Sequence, residues 1–147
     1  MLYFASLKYS DIIRSMRILV IDAQGGGLGK AVITALRQRD CNAHIVAVGT
    51  NSNATSAMLK AGAAEAATGE NSIIVTARKA DVIICPIGLV IADSMLGEVT
   101  EGMALAIARS DAKKILIPSK GCNNYVAGVK KIGLKEIIDD VVECALC

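Results

Sequence analysis

Hydrophobic positions along the chain come in short bursts, separated by polar stretches punctuated with glycine. Arg17-Ile18-Leu19-Val20-Ile21 is continuous and largely β-branched, the pattern of a strand buried on both faces. Past Asp22 and a glycine-rich turn, Ala31, Val32, Ala35 and Leu36 recur at helical spacing. Arg37 and Arg39 then suit the negative end of a helix dipole. His44–Val48 reads as a second strand, ending at Gly49. The polar run Thr50–Asn53 can cap a helix over Ala54–Ala61, with Gly62 as its stop. Ala63–Ala67 predicts a weak third strand, because alanine is a poor strand former. Thr68-Gly69-Glu70-Asn71 turns into a helix over Ser72–Lys79. Asp81–Cys85 is a fourth strand, stopped by Pro86 and Gly88. Thr100 is expected to cap a helix running to Arg109. Lys114–Pro118 is a fifth strand and Tyr125–Val129 a candidate sixth. Leu134–Ala145 closes the chain as an amphipathic helix, with Leu134, Ile137, Ile138, Val141, Val142 and Ala145 on one face. Leu89–Val99 fits either a helical turn or a loop folded over the sheet edge.

Strand and helix alternate throughout. Short buried strands separated by helices imply a parallel sheet with right-handed crossovers. The expected fold is α/β: a Rossmann-like three-layer sandwich on a mainly parallel sheet of five to six strands. No linker divides residues 16–147, which read as one domain. Residues 1–15 fit no periodic pattern and read as an N-terminal extension, with the natural start expected at Met16. The competing reading is a short helix packed on the domain.

Composition narrows the function classes. The 147 residues are 53% hydrophobic and 20% charged, which excludes intrinsic disorder. Sixteen basic against fourteen acidic residues leave a net charge of +2, too balanced to mark a polyanion binder. The rings are Tyr3, Phe4, Tyr9 and Tyr125 only, and single-strand nucleic-acid binding wants several stacking platforms. No nucleic-acid partner is therefore expected, and no run is apolar enough for a membrane. The five cysteines are an odd number behind no secretory signal, so reduced thiols in the cytoplasm are expected. Cys144-Ala145-Leu146-Cys147 lacks further ligands for zinc, His44 being the sole histidine and strand-borne. No metal site is expected.

The sharpest chemical signal is Gln24-Gly25-Gly26-Gly27-Leu28-Gly29-Lys30 between the first strand and first helix. Glycines there let backbone approach a phosphate, which free N–H groups and the helix dipole then hold. The letters match no single motif. In the dinucleotide fingerprint G-x-G-x-x-G, Gln24 stands where the first glycine belongs, ahead of Gly26 and Gly29. As a triphosphate loop the run fails at its first glycine, and Ala31 offers no hydroxyl for Mg²⁺. A purely structural tight turn competes with the ligand reading.

The second strand ends in Gly49, Thr50, Asn51 and Ser52, without the acid that reads the ribose of NAD. Thr50 and Asn51 could accept a 2′-phosphate, so NADP is not excluded; the sequence leaves the cofactor unknown, with NADP or another nucleotide open. The candidate binding set is Gln24, Gly25, Gly26, Gly27, Gly29, Lys30, Thr50, Asn51, Pro86 and Gly88. Asp22 would repel a phosphate unless Lys30, a metal or a neighbouring N–H compensates; the alternative is that it hydrogen-bonds the loop amides and holds the loop shut. Asp93, Ser94 and Glu98 join the rim if Leu89–Val99 folds over the sheet.

Ile21 to Lys30, Gly49-Thr50-Asn51, Ala54 to Gly62, Thr68-Gly69-Glu70-Asn71, Pro86-Ile87-Gly88 and Ser94-Met95-Leu96-Gly97-Glu98 together resemble a bacterial family known as domain of unknown function 3842. The resemblance runs from Met16 to about residue 143, leaves 1–15 outside, and implies no assigned activity. Two readings follow from the residues. One is a small cytoplasmic module that holds a nucleotide at 25–30. The other is an NADP-linked oxidoreductase or transferase, with Cys85, Lys120 or Cys122 supplying chemistry in a site completed by a second subunit. A homo-oligomer is compatible with both.

Overall fold

Strand β1 (Arg17–Asp22) is buried from its second residue onward, because it lies at the centre of the sheet. It pairs in parallel with β2 (His44–Gly49) on one side and β4 (Val82–Pro86) on the other. β3 (Glu65–Thr68) flanks β2 and β5 (Lys113–Ile117) flanks β4, so the order is β3-β2-β1-β4-β5, all parallel. The computed structural model describes residues 16–39, 42–119 and 123–147. The crossovers are α1 (Gly27–Gln38), α2 (Ser52–Lys60), α3 (Glu70–Ala77) and α4 (Glu101–Arg109), the last preceded by a 3₁₀ turn at Ile87–Val90; α5 (Leu134–Leu146) follows the final strand.

Each central strand alternates its side chains between two cores. Ile18 and Val20 pack with Val32, Leu36, Met58 and Val142 under α1, α2 and α5. Leu19 and Ile21 pack with Ile73, Leu89, Met103 and Ile107 under α3 and α4. These are three layers, expected for strands that are apolar on both faces. Each large side chain so buried contributes roughly 1.5–3 kcal/mol.

Local signals set the boundaries. Asn51 Oδ1 accepts from Ala54 N at 3.0 Å, so α2 begins at Ser52, two residues earlier than its apolar spacing suggests. Thr100 caps α4 through Met103 N at 3.1 Å. Gly62, at φ 118°, turns the chain after α2. Gly69, at φ 100°, starts α3 at Glu70 rather than Ser72. Tyr125–Val129 is not a sixth strand: it is non-strand chain ending in a turn at Gly128, φ 82°. Tyr125 is 90% exposed, so the apolar letters there have no sheet face to bury. The leader 1–15 lies outside the described residues. No helix among the described residues is long and apolar enough to cross a membrane.

Register brings the functional end together. Asp22 pairs with Gly49 and Gly49 with Thr68, while Pro86 pairs with Ile117. Continuing the Val20–Ile84 register sets Asp22 level with Pro86. The C-terminal strand ends thus form one row. β1 and β4 are adjacent there, and their chains leave to opposite faces.

Candidate functional site

Where neighbouring parallel strands send their chains to opposite faces, the ends part and leave a crevice. Here a crevice of about 590 Å³ opens above β1 and β4, a size that suits a small ligand. Its walls are the turn Asp22–Leu28, Pro86, the segment Ile91–Leu96, and Ser119, Asn123 and Asn124 beyond β5. The segment after β4 therefore does fold over the sheet end. Among the described lining residues, the charged ones are Asp22 and Asp93.

Asp22 is buried and turned into the loop. Its Oδ1 accepts from Ala23 N at 2.8 Å and its Oδ2 from Gly29 N at 2.7 Å. Burial raises its pKa; the amides of Gly29, Ala23 and Leu28 oppose this, and the charge of Glu98 adds to the rise. The carboxylate thus spends its acceptors on the loop that it shapes.

The four glycines of the loop divide into two kinds. Gly26 sits at φ 72°, and a Cβ there would come within 2.7 Å of Ala54 Cα. A Cβ on Gly29 would meet Met58 Sδ at 2.5 Å and Asp22 Cβ at 3.0 Å. Both are required by close packing of α1 against its neighbours. Gly25 and Gly27 are different. Neither has a left-handed φ, and a Cβ on either would meet nothing within 4 Å. Gln24, at φ 50°, takes the left-handed turn that a glycine would make more easily. Gln24 thus holds a glycine-like backbone at the position where the fingerprint would have its first glycine.

The remaining candidates fall in several places. Lys30 is exposed beside a second groove between α1 and α5. Thr50 and Asn51 lie at the β2 end, where both donate to Glu98 Oε1. Pro86 lines the crevice, and Gly88 is buried in the 3₁₀ turn. Glu98 itself was legible only as a conditional rim member. Burial raises its pKa, but hydrogen bonds from Thr50, Gln24 N and Asn51 outweigh burial and leave it below the ordinary value.

Cys85 is a poor nucleophile. It is 1% exposed, and burial, with the charge of Asp22, pushes its thiol up to about 12. Only the thiolate reacts. Iodoacetamide at neutral pH is expected to alkylate exposed Cys147 in the native protein and to reach Cys85 only after denaturation; peptide mass mapping reads both. Lys120 and Cys122 lie outside the described residues. His44 sits at the start of β2, the far end of the sheet, paired with Glu65 at 2.8 Å.

Strand order, glycine turn and crevice together define a Rossmann-like α/β domain. The chain belongs to the family described as Domain of unknown function (DUF3842), matched over residues 17–146. No curated protein matches it. Among solved structures it is similar to AibC, at 15% identity and TM-score 0.50, covering 95% of this chain and 41% of that one. It is also similar to the quinone oxidoreductase of Thermus thermophilus, whose structures include a complex with NADPH, at 19% identity and TM-score 0.45, covering 95% and 47%. The chain thus spans less than half the length of either neighbour, and the likeness is one of fold.

Proposed function

We propose that the protein binds a nucleotide in the crevice over β1 and β4, with its phosphate against the backbone of Gly25–Gly27. The observation that carries this is the pair Gly25 and Gly27. The fold itself gives neither a reason to lack a side chain, and glycine in a helix or strand costs roughly 0.5–1 kcal/mol against alanine. Close approach of a ligand supplies the reason. Their N–H groups have no acceptor among the described residues, and Gly27 opens α1, where the helix dipole favours an anion. With Asp22 turned into its own amides, a phosphate would be held by backbone dipoles rather than by the described crevice side chains. Binding is preferred to NADP-linked catalysis because Cys85, the one described candidate for that chemistry, is sealed and protonated.

The test is thermal shift with NAD, NADP, ATP, AMP, FAD, coenzyme A and phosphate, on wild type and Gly27→Val. At one hundred times Kd a ligand stabilises by about 2.7 kcal/mol, or about 5–10 °C in a domain of this size. The expected result is such a shift with a nucleotide in wild type, lost in a Gly27→Val protein that still melts cooperatively. A panel with no shift, or a shift untouched by Gly27→Val, would leave the glycine turn as architecture.

A further inference from the structure

The β2 end has no acid of its own, yet a carboxylate stands there. Glu98 arrives from the segment between β4 and α4. Its Oε1 accepts from Thr50 Oγ1 at 2.5 Å, Asn51 Nδ2 at 2.5 Å and Gln24 N at 2.9 Å. Asn51 Nδ2 also donates to Gln24 O at 2.9 Å, which ties the β2 end to the glycine turn. One oxygen thus takes all three donors, and Oε2 has no hydrogen-bond partner among the described residues.

The segment that delivers Glu98 is built for it. Asp93, Met95 and Leu96 all hold left-handed φ values of 56–64°, a conformation unfavourable for residues with a Cβ. Such strain persists where the surroundings over-determine it, and it clusters at functional sites. Here Asp93 N donates to Val99 O at 2.8 Å and Ser94 Oγ to Gly88 O at 2.5 Å. These bonds brace the segment on both sides of the turn, while Leu96 is left fully exposed.

Resting on the nucleotide reading above, we propose that Glu98, which borders the crevice through its bond from the lining residue Gln24, is its specificity-determining residue, supplying from outside β2 the carboxylate that accepts ribose hydroxyls. The ligand class is then a nucleotide with an unphosphorylated 2′,3′-diol. Oε1 is fixed by three donors and orients the group; Oε2 is left to accept from the diol. A 2′-phosphate would meet a like charge. It would also find Thr50 and Asn51, the donors that could have received it, already bonded to Oε1. This revises what the uncharged letters at 49–52 suggest: the strand end is acidic once the chain is folded.

The experiment is calorimetric titration of wild type and Glu98→Gln with NAD and with NADP. Like charges set against each other cost enough to separate the two affinities by about tenfold or more. Wild type is expected to favour NAD by at least that factor. In Glu98→Gln the amide oxygen can still accept the three donors, but the charge is gone and an NH₂ replaces Oε2. The ratio is expected to fall towards one or reverse, in a protein that melts cooperatively. Equal binding of NAD and NADP by wild type would overturn the role of Glu98 while leaving the nucleotide reading intact. So would a Glu98→Gln protein that binds both more tightly at an unchanged ratio, since the carboxylate would then be a plug that ligands displace. If neither folded protein bound either dinucleotide, the role of Glu98 in choosing between them would fall, while the nucleotide reading would be decided by the wider thermal-shift panel.

Discussion

Gly26→Ala is expected to lower the melting temperature by about 10 °C, the largest loss for any single methyl added to the glycine turn. Two costs add at this position. At φ 72° an L-residue carries about 1–2 kcal/mol of left-handed strain. The new Cβ would also sit 2.7 Å from Ala54 Cα and 2.9 Å from Ala54 O. Those are backbone atoms at the start of α2, anchored by the Asn51 cap, and they cannot rotate away. Overpacking of this kind costs about 1–3 kcal/mol. The informative comparison is Gly25→Ala and Gly27→Ala, whose Cβ atoms meet nothing. Both are expected to stay within about 1 kcal/mol of wild type. Urea denaturation of the three variants reads the contrast. A mild Gly26→Ala, or a severe Gly27→Ala, would undo the division of the glycines into packing and ligand-facing kinds.

Asp22→Ala is expected to cost about 2–6 kcal/mol, because buried N–H groups of Ala23 and Gly29 lose their acceptor together and each such loss costs about 1–3 kcal/mol. Asp22→Asn does not rescue this, since one of its two faces presents an NH₂ to a backbone N–H. The pH dependence adds an independent check. The Asp22 pKa is raised, so the folded state binds this proton more tightly than the unfolded chain. Its stabilising contribution is fully present below the ordinary carboxylate value near 3.8 and is lost as pH rises through the raised folded value. Glu98 has the opposite sign: its contribution is present above about 4.5 and is lost as pH falls through its lowered value. Denaturation midpoints measured from pH 3 to 7 should therefore lose their Asp22 component in Asp22→Asn, while the Glu98 component persists. An unchanged profile in Asp22→Asn would place the titration elsewhere.

Much of the framework could be read from local letters. The apolar run at Ile18–Ile21, the caps at Asn51 and Thr100 and the stop at Gly62 each act within a few residues, so sequence spacing carries them. The interaction of Asp22 with the loop amides was also open to reasoning, because a carboxylate at a helix start has few other partners. The separation of Gly26 and Gly29 from Gly25 and Gly27 was not. It depends on how close Ala54 and Met58 come in three dimensions. Glu98 was least legible of all. It reaches residues 47 and 48 positions away in sequence, through a run of left-handed residues that no propensity marks. Tyr125–Val129 misled for the converse reason: a strand-like run of letters becomes a strand only where a neighbour offers it an edge.

The two ends of the sheet carry a consequence of their own. Among the described residues, β3 and β5 each pair on one side only, leaving free backbone groups that could recruit another chain into a growing fibril. The protein meets that hazard differently on each flank. β3 is only four residues long and begins at exposed Glu65. β5 opens with Lys113 and Lys114, whose charge an added strand would have to accommodate. The segments with the strongest tendency to stack, Ile18–Ile21 and Val82–Ile84, lie in the middle, sealed on both edges. Resistance to aggregation is thus written into the strand order: the dangerous sequences are innermost, and the exposed margins are short or charged.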